Sequence, residues 1–169
     1  GADLDFRELW RLQLLGELTK ASCSMFGLWG DATRHSLGGG LLQMRAFDWD
    51  TGYGLQKWPT ILVYHPEANA THPAVGHAYA MQTWAGVLFA LTGMSSARLG
   101  ISQIGISCPD YPPAWGSDER KGAPFYILLK DILSRDRSGG EATARMQAAN
   151  RTCNILVGVG DGNAPAGAL

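Results

Sequence analysis

Hydrophobic positions change their spacing several times along the chain, and each change marks an element. Phe6, Leu9, Trp10, Leu14 and Leu18 recur at helical intervals, the period that lines apolar side chains along one face. Asp5 with Glu8 three residues on is a capping-box signal for the start of that helix, and the pattern predicts a packing helix that ends near Ala21-Ser22. From Cys23 the texture switches to short β-rich runs, CSMFGLWGDAT, LLQMRAFDWD and TILVYHP, separated by glycine and proline. Further runs at 75–81, 85–91, 99–106 and 153–159 bring the expectation to about six antiparallel strands, with Thr92-Gly93 and Gly38-Gly39-Gly40 as turns. The helical period returns after Pro124, a favoured first helical residue, with Phe125, Leu128, Leu129, Ile132 and Leu133 as a core stripe. Ser138 and Glu141 form a second capping box, opening a helix that carries Ala142, Met146 and Ala149. Helix, strands, two helices and a strand define an α+β fold in which helices cover sheet faces.

Length and charge narrow the function classes. At 169 residues and 18.2 kDa the chain fits one domain with one core. Fourteen Lys and Arg against 15 Asp and Glu, a net charge of -1, supply no positive field for a phosphate backbone, so no nucleic-acid partner is expected. No apolar run reaches the ~18–20 residues that span a bilayer, and no integral membrane segment is expected. Asp3, Asp5, Glu8 and Glu17 run through the first 22 residues, which therefore do not read as a signal peptide. His35, His65, His72 and His77 are scattered and no C-x-x-C or H-E-x-x-H occurs, so neither a metal nor a cofactor is predicted. The glycine-rich GVGDG at 158–162 lacks both a following helix and a Gly-Lys-Ser/Thr, and reads as a strand end and turn. Two sequons, at Asn69 and Asn150, permit glycosylation in a secretory context. Three cysteines, Cys23, Cys108 and Cys153, leave at least one thiol unpaired.

Candidate chemistry concentrates between Cys23 and Trp49. Cys23 begins a strand, a glycine-rich turn follows, and the returning strand carries Arg45 and Asp48 three residues apart. Hairpin pairing brings these back toward Cys23. A guanidinium near a thiol favours the nucleophilic thiolate, and a carboxylate can orient an amine. On spacing alone, the same residues also read as a small buried cysteine and an ordinary Arg–Asp pair. Trp29, Phe47, Trp49 and Trp58 read either as core or as the lining of an apolar acyl pocket.

The ordered series Cys-Ser-x-x-x-x-Trp-Gly-x-Ala-Thr from Cys23, Arg-x-x-Asp-Trp from Arg45, and Leu-Thr-Gly-Met-Ser-Ser-x-x-Leu-Gly-Ile-Ser at 91–102 resembles the N-terminal-nucleophile hydrolases of the acid ceramidase, penicillin acyltransferase and bile salt hydrolase type. Gly122-Ala123-Pro124-Phe125, Leu128 to Leu133, and Asn150 to Val157 resemble the later landmarks of that family. The resemblance implies an αββα sandwich of two antiparallel sheets flanked by helices, here incomplete. It also implies self-cleavage at Ser22–Cys23, which frees the Cys23 α-amine to act as base for its own thiol. Cys23 would then be the nucleophile, with Arg45 flanking the thiol and Asp48 holding the amine. Residues 1–22 would belong to a propeptide or small subunit, and residues 23–169 to the N-terminal portion of the catalytic domain. The family's oxyanion-stabilising Asn and second Arg would fall after the strand ending near Val159, in a C-terminal segment of the same precursor that this chain is expected to lack. The implied substrate is a small acylated molecule or lipid amide, without cofactor, in a lysosomal, vacuolar or extracellular setting. With Cys23 unpaired, Cys108 and Cys153 are the available disulfide pair. The alternative is a non-catalytic structural or interaction subunit derived from the same fold.

Overall fold

The structure, a computed structural model, describes residues 3–14, 23–67, 76–88, 91–106 and 122–164. Among these residues seven strands form two antiparallel sheets. β1 (Cys23–Leu28) and β2 (Leu42–Phe47) make a two-stranded sheet, joined through a 3-10 turn and the short α2 (Arg34–Leu37). β3 (Pro59–Tyr64), β4 (Tyr79–Trp84), β5 (Thr92–Ser95), β6 (Leu99–Gly105) and β7 (Ile155–Asp161) follow one another across a five-stranded sheet. Two helices, α3 (Phe125–Arg135) and α4 (Gly139–Ala148), fill the connection between β6 and β7.

The expected stripe on α3 is the centre of the core. Phe125, Leu128, Leu129, Ile132 and Leu133 are all buried, in one cluster with Tyr79, Met81 and Ile101 of the large sheet. On α4 the Ser138 hydroxyl accepts from the Glu141 amide at 3.2 Å, as the capping-box pattern predicts, and Ala142 is buried. The Glu141 carboxylate closes the box one residue early, accepting from the Arg137 amide at 2.7 Å.

A second cap reaches α4 from the far end of the sheet. Asp161 accepts from the Gly139 amide at 2.8 Å and from the Asn163 amide at 2.8 Å. These bonds, with the Gly139 amide foremost, hold its carboxyl below the usual carboxylate range. A carboxylate depressed on folding contributes stability above its unfolded pKa of about 4 and loses that contribution as pH falls through the folded value. Asp161→Ala is therefore expected to cost about 1 kcal/mol at neutral pH. The difference from wild type should shrink as pH falls from neutral through the folded value, and urea midpoints at neutral and at strongly acidic pH measure it. An equal difference at both would remove the charge from the account.

The strand count and one turn differ from expectation. Thr92-Gly93 is not a turn but the start of β5, and the described residues of the expected run at 85–91, Ala85 to Leu88 and Leu91, are not in a strand and include the turn at Ala85-Gly86. The glycine is there because of packing: a Cβ on Gly93 would lie 2.6 Å from the Ala80 carbonyl oxygen and 2.7 Å from Cδ1 of the fully buried Leu133. Gly93 thus lets α3 approach the sheet. Gly93→Ala is expected to destabilise by about 1–3 kcal/mol through overpacking, read as a lowered denaturation midpoint. An unchanged midpoint would show that α3 can move away freely.

α1 (Phe6–Gln13) has the expected cap, with Asp5 and Glu8 bonded reciprocally to each other's backbone amides. Its apolar face packs only at one end: Leu14 is partly buried against the core cluster, whereas Phe6 is 77% exposed, and Leu9 and Trp10 are also exposed. Beside Leu14, the helix is attached by a polar residue. The buried Gln13 side chain donates to the Gly86 carbonyl and accepts from the Leu88 amide, both at 2.7 Å, and so takes the place of a neighbouring strand's peptide. Leu18 and the predicted helix end near Ala21-Ser22 lie outside the described residues.

Candidate active site

Strand register builds the site. β1 and β2 pair with Cys23 opposite Phe47 and Met25 opposite Arg45. Opposed residues share a face of a sheet, and alternate residues return to it. Cys23, Met25, Gln43, Arg45 and Phe47 therefore all point the same way, toward the large sheet. Gln43 donates to the Gly158 carbonyl at 3.0 Å. Its oxygen lies 2.9 Å and 2.6 Å from where Cβ atoms on Gly100 and Gly160 would stand. Glycines on the large sheet thus make room for side chains of the small one, and two of the GVGDG glycines are mid-strand packing positions.

That close approach puts Arg45 within reach of both sheets. Its Nε donates to the Gln103 carbonyl at 2.5 Å, and its Nη2 lies 3.0 Å from Sγ of Cys23. Burial lowers the Arg45 pKa, while the charge and hydrogen bond of Cys23, and then the charge of Asp48, oppose that shift. The guanidinium remains a cation whose fork spans a carbonyl oxygen and a sulfur.

Aromatic rings complete the surroundings. The Arg45 guanidinium carbon sits 4.8 Å from the centroid of the Phe47 ring. Phe47 stacks on Trp49 at 5.4 Å and 8°, and meets Trp84 of the large sheet at 5.0 Å and 44°. Of the four aromatic residues noted in the sequence, Phe47 and Trp49 come together here, whereas Trp29 is exposed and Trp58 is 71% exposed.

Cys23 and Arg45 meet as the hairpin predicts, with Arg45 diagonal to the cysteine rather than opposite it. Asp48 stands one residue past the end of β2, is exposed, and acts on Arg45 through charge. The three-residue spacing would put the two on opposite faces of a continuing strand; the strand ends at Phe47. Sequence reasoning missed Gln103, Trp84 and the guanidinium–ring contact. The last was readable, because alternation puts residues 45 and 47 on one face; a backbone carbonyl such as that of Gln103 has no residue signature. Ser22 and Cys108 lie outside the described residues, and Cys153 is half-buried against the core cluster. Among the described residues, no group of three or more His, Cys, Asp or Glu is placed to hold a metal ion.

The α+β arrangement of two stacked antiparallel sheets, with α3 and α4 packed against the five-stranded one among the described residues, is the fold of the N-terminal-nucleophile hydrolases. It superposes on a Caenorhabditis elegans N-acylethanolamine-hydrolyzing acid amidase ortholog with a TM-score of 0.60, covering 82% of this chain and 55% of that one at 14% identity. In sequence the chain is similar to protein dcd1A of Dictyostelium discoideum, 39% identical over 163 residues, which are 95% of this chain and 35% of dcd1A. It is also 36% identical to protein dcd1B of the same organism over 157 residues, 93% of this chain and 29% of dcd1B. The chain thus spans about a third of the length of these curated relatives. No protein-family profile matches it. No helix among the described residues is long and apolar enough to cross a membrane.

Proposed function

We propose that the protein is an amide hydrolase or acyltransferase that cleaves a non-peptide acyl or lipid amide through a thioester on Cys23. The observation that carries this reading is the Arg45 Nη2 donor 3.0 Å from the Cys23 sulfur, at the first residue of β1. In the proposed reaction the Cys23 α-amine takes the thiol proton and the sulfur attacks the amide carbonyl, forming a C–S bond and a tetrahedral oxyanion. Collapse breaks the C–N bond, and the amine departs with a proton delivered by the Cys23 α-ammonium. Water then adds to the thioester carbonyl, giving a proton to the α-amine; the C–S bond breaks, the sulfur regains that proton, and the carboxylic acid leaves, while an amine in place of water gives acyl transfer. The α-amine is available as base only after cleavage of Ser22–Cys23, a self-processing step that belongs to this proposal, and Asp48 holds that amine. Arg45 faces the sulfur throughout.

The same reading takes the protein through the secretory pathway to a lysosomal, vacuolar or extracellular site, where Asn150, exposed after α4, can accept a glycan. An alternative, a non-catalytic interaction subunit, draws on the outer face of the hairpin, where Phe26, Leu28, Leu42 and Met44 are exposed.

Protein expressed from its natural gene should yield a chain whose N-terminus is Cys23. Brief exposure to an N-acyl amide should then add the acyl mass to the Cys23 peptide. Intact mass, N-terminal sequencing and peptide mapping read all of this together. An active enzyme in which no chain begins at Cys23 would overturn the amine-base mechanism. A processed protein that takes up no acyl group from any of a panel of N-acyl amides would favour the interaction subunit.

A further inference from the structure

We propose that Phe47 is a positioning residue for the Cys23 thiol, acting through the plane of the Arg45 guanidinium; this rests on the reading of Cys23 as nucleophile. The Nε bond to the Gln103 carbonyl fixes one point of the guanidinium and leaves its plane free to turn about that bond. The ring face of Phe47, 4.8 Å away, removes this freedom, because a guanidinium gains most from an aromatic ring when it lies over the face. With the plane set, Nη2 is aimed at the sulfur 3.0 Å away.

The ring is itself held. Trp49 stacks on it almost parallel, Trp84 packs against it from the other sheet, and its own backbone is paired with Cys23. Phe47 is thus fixed with respect to the residue whose sulfur Arg45 must reach. A purely space-filling phenylalanine would need only bulk and apolarity at this position, whereas a positioning ring needs a π face. Leucine supplies the first without the second, and tyrosine supplies both.

The test compares wild type, Phe47→Leu and Phe47→Tyr, each expressed from the natural gene, by the rate at which iodoacetamide labels Cys23 at one neutral pH. Phe47→Leu should label about three- to tenfold more slowly, as expected for loss of a partly desolvated cation–π contact. Phe47→Tyr should restore the rate to within about twofold. In wild type, NMR signals of the Arg45 side chain should be displaced upfield by the ring, a measurement that stands even if the leucine variant does not fold. Equal labelling of a folded Phe47→Leu, a tyrosine variant as slow as the leucine one, or Arg45 signals with no ring displacement would each overturn the proposal. These outcomes concern thiol reactivity alone; persistence of amide turnover in Cys23→Ala would instead overturn the assignment of the nucleophile.

Discussion

Cys23→Ala is expected to abolish amide turnover, a loss on the order of a thousandfold or more, because removing a covalent nucleophile leaves only the contribution of binding and oxyanion stabilisation. The variant should also remain uncut before residue 23, since the proposed self-cleavage uses the same sulfur. It should stay folded: the site is half-buried at the first residue of a strand, and replacing the thiol by hydrogen removes one heavy atom from the hairpin face. Loss of activity with a retained denaturation midpoint is thus the expected pair of results. Substantial turnover by Cys23→Ala would displace the nucleophile from this residue.

Arg45→Lys is expected to reduce turnover by about a hundredfold while conserving charge. The guanidinium makes two directed contacts at once, through Nε to the Gln103 carbonyl and through Nη2 to the Cys23 sulfur, and lies over the Phe47 ring. A lysine ammonium is a single compact centre; it can satisfy the carbonyl or the sulfur but not hold the planar fork between them. Removing one preorganised donor from a reacting site typically costs about 100- to 1000-fold. Asp48 is exposed and its charge acts on Arg45, so that contribution alone should cost Asp48→Asn no more than about fivefold, with any larger effect reporting its proposed hold on the α-amine. Near-normal kcat/KM in both variants would dismantle the site.

What the sequence conveyed depended on how local its cause was. The buried faces of α3 and α4 were legible because period and caps are encoded within a dozen neighbouring residues, as at Pro124 to Leu133 and Ser138 to Glu141. β5 was misread because the reason for Gly93 lies in Leu133 and Ala80, neither of which is near it in sequence. The apolar stripe of α1 correctly signalled a helix but carried no information about which of its members are covered: Leu14 meets the core cluster while Phe6, Leu9 and Trp10 are exposed, and the docking is shared by a polar residue, Gln13. In the site, the meeting of Cys23 and Arg45 followed from hairpin closure. The Phe47 platform also followed from alternation, since residues 45 and 47 share a face. The Gln103 carbonyl was invisible, because every residue offers one and only the stacking of the sheets selects it.

That stacking has a mechanical side. Facing sheets usually stand about 10 Å apart, with side chains from both filling the gap. Over Gly100, Gly158 and Gly160 the filling is one side chain thick, made by Gln43 together with Leu41 over Gly160 and Met25 over Gly158, and the depth of these side chains sets the spacing there. The glycine floor therefore acts as a gauge for the reach of Arg45: its side chain is long enough to touch a backbone oxygen across the gap and a sulfur on its own side only while the gap stays thin. A methyl group added to that floor, remote from the thiol in sequence, would shim the sheets apart and draw the guanidinium off one of its two contacts. Positions 25, 41 and 43 are thereby tied to 100, 158 and 160: a bulkier residue at 100 calls for a shorter one at 43, one at 158 for shorter ones at 25 and 43, and one at 160 for shorter ones at 41 and 43.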